Sequence, residues 1–141
     1  MMLFALHSAA TLYMTGLIWF VQLVHYPLMA RVGAADFTRY ELLHRHYTGW
    51  AVGPAMLLEA ATGALLVLRF PQALAWKLGI VLIAVIWLST WLVQVPAHDV
   101  LSRGFDPATL RRLVTSNWLR TAAWTARAIL ITWMIATNSR N

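Results

Sequence analysis

The sequence predicts an all-α integral membrane protein: a four-helix up-down-up-down bundle, one transmembrane domain over residues 1–141, with an interfacial helical segment before helix two. Three observations carry that class. Apolar residues make up 60% of the chain and charged residues 11%, whereas a soluble domain carries about 25% charged residues. Four stretches reach the roughly 20 apolar residues that a helix needs to cross the hydrocarbon core. The net charge of +6 is carried by arginines that flank those stretches, where they meet anionic headgroups. Together these exclude a soluble enzyme, a disordered tail and a nucleic-acid-binding domain, although the isoelectric point is near 10.8.

The expected spans are 3–28, 50–68, 74–95 and 118–135. The first opens without the basic leader and small-residue cleavage pattern of a signal peptide, so it is expected to be a retained helix. Residues 29–49 are polar but helical in pattern and extend helix two along the interface. Residues 69–73 contain Pro71 and form a tight turn. Residues 96–117 contain Gly104 and then Asp106-Pro107, an N-cap followed by proline at the first helical position. The first and third links hold Arg31, Arg39, Arg45, Arg103, Arg111 and Arg112. The other face has Arg69, Lys77 and Arg140. That bias places the first and third links in the cytoplasm and both termini on the non-cytoplasmic side.

The two halves resemble one another. Trp19-Phe20-Val21-Gln22 precedes His25, and Trp91-Leu92-Val93-Gln94 precedes His98. Phe37 and Phe105 each stand thirteen residues before a tryptophan, Trp50 and Trp118. Nine residues past those tryptophans come Glu59 and Arg127, at matching depth in a parallel repeat. A lone charge in hydrocarbon is costly and such residues pair inside the bundle, so Glu59 and Arg127 are expected to form a buried ion pair. It serves either as a clasp between helices two and four or as a proton-relay or substrate group.

The chain has no cysteine, so iron–sulfur clusters, zinc fingers and covalent c-type haem are excluded. Histidines are the remaining strong ligands for a soft metal or haem. Helical spacing puts His7, Thr11, Ile18, Gln22 and His25 on one stripe, Trp87, Trp91, Gln94 and His98 on another, and Asn117, Arg120, Trp124 and Arg127 on a third. Topology gathers His25, His44, His46 and His98 at one end of the bundle. These are enough ligands for a divalent metal, with His25 and His98 ahead of His46 and then His44. His25 and His98, on diagonal helices, are also candidates to ligate haem b, with Arg45 and Arg120 for its propionates. The plainer reading is that these histidines hydrogen-bond headgroups, water or the carbonyls freed by Pro27 and Pro96. On a helix, His44 and His46 point about 200° apart. Trp50, Trp76 and Trp118 read as interfacial anchors. Trp87, Trp91 and Trp124 either stack on a flat cofactor or fill space between helices. Gly63, with Ala60 and Ala64, reads as a close-packing patch.

The motifs VQLVHYPL at 21–28, QVPAH at 94–98 and NWLRTAAWTAR at 117–127 resemble a family of small bacterial four-span integral membrane proteins. That resemblance implies that His25, Glu59, His98, Asn117 and Arg120 belong to the family pattern, and it brings no activity with it. At a lower level, the chain is similar to the four-helix membrane haem-binding protoporphyrinogen oxidase, through Ala5-Leu6-His7 and Trp76-Lys77-Leu78. It departs from that family in the arginines of its fourth span. It also resembles anthrone-oxygenase-like membrane proteins in size and in the polar start of helix four. The function expected is a redox protein or oxidoreductase of the bacterial inner membrane. It would hold haem or a metal and act on a lipid-borne quinone, tetrapyrrole or polyketide. The alternative is a non-catalytic accessory subunit of a larger respiratory or photosynthetic complex. A transporter ranks third, since four helices leave little room for a pathway unless the protein forms a homo-oligomer. Membrane lipids are partners in every case.

Overall fold

The computed structural model describes residues 1–138, so Arg140 lies outside the described residues. Four helices follow one another: α1 (Met2–Met29), α2 (Ala34–Arg69), α3 (Leu74–Leu101) and α4 (Pro107–Asn138). There is no strand among the described residues. The first three are long and apolar enough to cross a membrane. The fourth does not meet the same measure of length and composition; among its polar residues, Asn117, Arg120, Thr121 and Arg127 are all covered. α1 packs on α2 and α4, and α3 packs on the same two, so α1 and α3 stand diagonally.

Helix boundaries follow local chemistry. The polar stretch expected at the interface is continuous with helix two, and α2 passes through Pro54 without ending. Asp106 caps α4: the backbone N–H groups of Ala108 and Thr109 donate to its carboxylate at 3.3 and 3.0 Å, and the Thr109 hydroxyl donates to the same group. Pro107 at the first helical position lacks only an N–H that needs no intrahelical partner.

α1 and α3 each contain one π-helical turn, at Val21–His25 and Thr90–Gln94. The cause lies in Pro27 and Pro96. A proline ring clashes with the carbonyl four residues earlier and offers it no N–H. Those carbonyls belong to Leu23 and Leu92, both inside the π-helical turns, where the wider coil absorbs the clash. The extra residue in each turn leaves Gln22 and Gln94 buried.

The interior is layered. One apolar layer contains Tyr26, Met29, Phe37, Leu101 and Leu113. The middle layer contains Met14, Ile18, Met56, Ile86 and Trp124. The third contains Leu66, Trp76 and Ile131. Polar groups separate the layers, and the two polar levels differ in how completely their hydrogen bonds are satisfied.

Candidate functional site

At the level between the middle and third layers, Arg127 Nε donates to Glu59 Oε1 at 2.9 Å, with both side chains almost fully covered. Thr11 Oγ1 donates to Glu59 Oε1 at 2.7 Å and Trp124 Nε1 to Oε2 at 3.0 Å. Arg127 also donates to the Gly79 carbonyl, to Thr11 Oγ1 at 3.2 Å and to His7 Nε2 at 3.1 Å. Arginine can only donate, so His7 Nε2 accepts and its Nδ1–H donates to Thr62 Oγ1 at 2.9 Å. Thr62 in turn donates to the Leu58 carbonyl. Gly63 leaves room for this ring, since a Cβ there would lie 3.1 Å from His7 Cε1. Trp76 is covered rather than interfacial: it meets Phe4 and His7 edge-on, because its indole closes this network from the nearer end. Every strong donor and acceptor here is matched, which is the character of a structural clasp.

The second level differs. His25 and His44 stack with ring centroids 4.3 Å apart, and His44 lies 5.2 Å from His98. Tyr40 bonds His25 Nδ1 at 3.5 Å and Thr48 bonds His44 Nδ1 at 3.0 Å. His98 Nδ1–H donates to Glu41 Oε1 at 2.6 Å, and the Glu41 side chain is fully covered. His46 lies outside the cluster, exposed and edge-on to Tyr47. The phase of α2 thus brings His44, and not His46, beside His25 and His98. Arg45 pairs with Asp99 at 2.6 Å and reaches Ser102 at 3.3 Å.

Arg120 is held by a relay. Its NH1 donates to Asn117 Oδ1 at 3.0 Å, which turns Asn117 Nδ2 toward Gln22 Oε1 at 2.8 Å, and Gln22 Nε2 donates to the Val114 carbonyl at 3.3 Å. Across the bundle, Tyr26 donates to Gln94 Oε1 at 3.4 Å and Gln94 Nε2 to Ser116 at 2.9 Å. Both π-helical turns thus deliver a glutamine to this level. The guanidinium lies 5.2 Å from the centroid of the Trp124 ring, so the tryptophan bonded to Glu59 also supports Arg120. Among the described residues no carboxylate lies within ion-pair distance of Arg120. Its Nε is buried without a partner, as are Glu41 Oε2 and His25 Nε2.

His44, His98 and Arg120 border a cavity of about 350 Å³ between α2 and α3, floored by α1 and by Arg120. Its long wall is apolar, with Met14, Ile18, Met56 and Trp87, and its polar end holds Tyr26, His44, Gln94, His98 and Arg120. Leu57 and Val95, both exposed, stand at its rim. The space exists because Gly49 and Gly53 present no side chain to it; a Cβ on either would meet nothing within 4 Å.

A haem or metal fits this arrangement poorly. His44 touches both His25 and His98, and its ring lies flat against that of His25. The space for a macrocycle ligated by His25 and His98 is therefore filled by protein. Glu41 on Nδ1 of His98 does not itself count against ligation, since a ligating histidine commonly donates its other N–H to a carboxylate, while Arg45 is paired with Asp99. Among the described residues no group of three or more His, Cys, Asp or Glu side chains is placed to hold a metal ion.

Sequence reasoning missed Glu41, Tyr26, Gly49 and Gly53. Glu41 sits among arginines in a stretch that reads as polar surface, and glycines in a helix give no sign of the space they leave. No protein-family model matches the chain, and no curated protein or solved structure matches it either.

Proposed function

We propose that the chain is a multi-pass inner-membrane protein that binds a lipid-borne amphiphile in the cavity between α2 and α3. The four helices cross the bilayer in alternation, and residues 34–49 and 107–117 lie in the headgroup region. The observation that carries the reading is the cavity's division into an apolar wall and a polar end, with the exposed Leu57 and Val95 at its rim. Binding sites for small hydrophobic molecules have this form: mostly apolar lining with a few convergent polar groups.

The side chains supply binding and proton transfer. The Glu41–His98 pair holds a proton between two titratable groups at the polar end, and His44 lies next to it. An oxidoreductase reading then requires the lipid-borne molecule itself, such as a quinone, to carry the electrons.

The test uses brominated stearoyl probes and tryptophan emission. The unaltered protein in detergent is expected to show saturable quenching that disappears in Trp87→Phe, because Trp87 lines the cavity. Gly53→Phe fills the open space with a ring and is expected to abolish the saturable part while helix content stays unchanged. Quenching that never saturates, or that is equal in Gly53→Phe and the unaltered protein, overturns the reading.

A further inference from the structure

Arg120 is a buried cation whose neighbours orient it without neutralising it. Glu59, whose Oε2 takes the Trp124 indole N–H, is committed to Arg127, Thr11 and Trp124. Glu41 is committed through Oε1 to His98. Asn117 takes one hydrogen bond from the Arg120 fork, and Trp124 supports its face. Among the described residues nothing accepts from the rest of the fork, and Nε is buried without a partner. A covered arginine in that state is costly unless an acceptor arrives with negative charge. Arg120 also lines the cavity, so the acceptor can come from there.

We infer that the cavity selects an amphiphile with an anionic head, a carboxylate or phosphate, bound by the free edge of the Arg120 guanidinium. A guanidinium N–H donates a charge-assisted hydrogen bond to either oxyanion. The apolar part of the molecule lies along Met14, Ile18, Met56 and Trp87 toward the rim. Asn117 and Gln22 are positioning residues, because they fix the fork's direction. The inference rests on the lateral-cavity reading above and adds the charge of the head.

The experiment compares dibromostearic acid with its methyl ester on the full chain in detergent, above the pH at which the acid ionises in the micelle. Both probes carry the same chain and quencher and differ in head charge. The acid is expected to bind about tenfold more tightly than the ester, the size of one charge-assisted hydrogen bond. Arg120→Gln is expected to remove that preference, bringing acid and ester to equal affinity, and Arg120→Lys to keep part of it. The acid–ester comparison needs no variant, so a misfolded Arg120→Gln leaves the test standing. Equal affinities overturn the anionic inference while leaving the cavity as a site for neutral lipids. Absence of saturable quenching by both probes overturns the cavity reading itself. Inorganic phosphate added as competitor separates the two sources of anion. Failure to displace the acid supports a lipid-borne head, and ready displacement overturns it in favour of a free anion.

Discussion

Glu59 has both carboxylate oxygens occupied, and Arg127 uses all three of its nitrogens. Removing one charge therefore strands the other inside a set of groups built around it. Glu59→Gln leaves the Arg127 guanidinium covered and uncompensated, a change that costs about 3–5 kcal/mol for a buried pair. Glu59→Gln combined with Arg127→Met removes both charges and is expected to recover a substantial part of that loss. The measurement is the midpoint of denaturation in detergent for the two single variants and the double. Additive effects, with no coupling between the positions, would show that the pair does not act as a unit. The juxtaposition was legible in the sequence because Glu59 is the one charge in the span 50–68 and Arg127 stands at the same distance from a tryptophan in the span 118–135. Glu41, equally covered, was not legible. Its neighbours Arg39 and Arg45 make its segment look like solvated surface, and only the phase of α2 shows that it turns inward. The same phase decides between His44 and His46, since an error of one residue rotates a side chain by about 100°.

At the scale of elements, the start of α4 and the π-helical turns show where pattern reading succeeds and fails. Asp-Pro is a local signal, and α4 does begin at Pro107. The π-helical turns escape a reading that assumes 3.6 residues per turn throughout. Pro27 and Pro96 marked where carbonyls would be freed but not how the chain would accommodate them. The cap carries a pH prediction. Hydrogen bonds from Thr109 and Ala108 hold the Asp106 carboxyl below its ordinary value of 3.8. A carboxylate whose pKa is lower folded than unfolded stabilises the fold fully above the unfolded value. The contribution is lost as pH falls through the folded one. Asp106→Asn keeps a capping side chain without the charge. The stability difference between Asp106→Asn and the unaltered protein is therefore expected to be constant near neutrality and to shrink below about pH 4. Because Asp106 is only partly covered, salt is expected to reduce the difference as well. A gap that widens on acidification would contradict the assignment of Asp106 as an ionised cap.

For the molecule as a whole, the outer surface decides the environment. Leu57, Leu65, Leu68, Leu88, Leu92 and Ile129 are all exposed. A monomeric soluble protein rarely leaves a continuous apolar surface of that kind uncovered, and lipid covers it without cost. The same argument explains why α4 is the hardest helix to recognise as a span. Arg120 and Arg127, the charges beyond its first turns, are turned inward to the cavity and to Glu59, while Leu119 and Ile129 face outward. The proposed alternation and orientation rest on the arginine bias, which would turn the histidine end of the bundle toward the cytoplasm. Since the chain lacks cysteine, single cysteines can report sidedness without background. Ala35, Gln72 and Ala108 are exposed positions in or beside the three links. Ala35→Cys and Ala108→Cys are expected to react with a membrane-impermeant maleimide only in inverted vesicles, and Gln72→Cys only in intact cells. If all three labels exchange sides, the alternation stands and the orientation reverses, placing the polar end of the cavity outside the cell. If Ala35→Cys and Ala108→Cys label from opposite faces, the alternation itself fails. The cavity rim would then no longer face lipid at one depth, and a membrane-borne ligand would lose its route of entry.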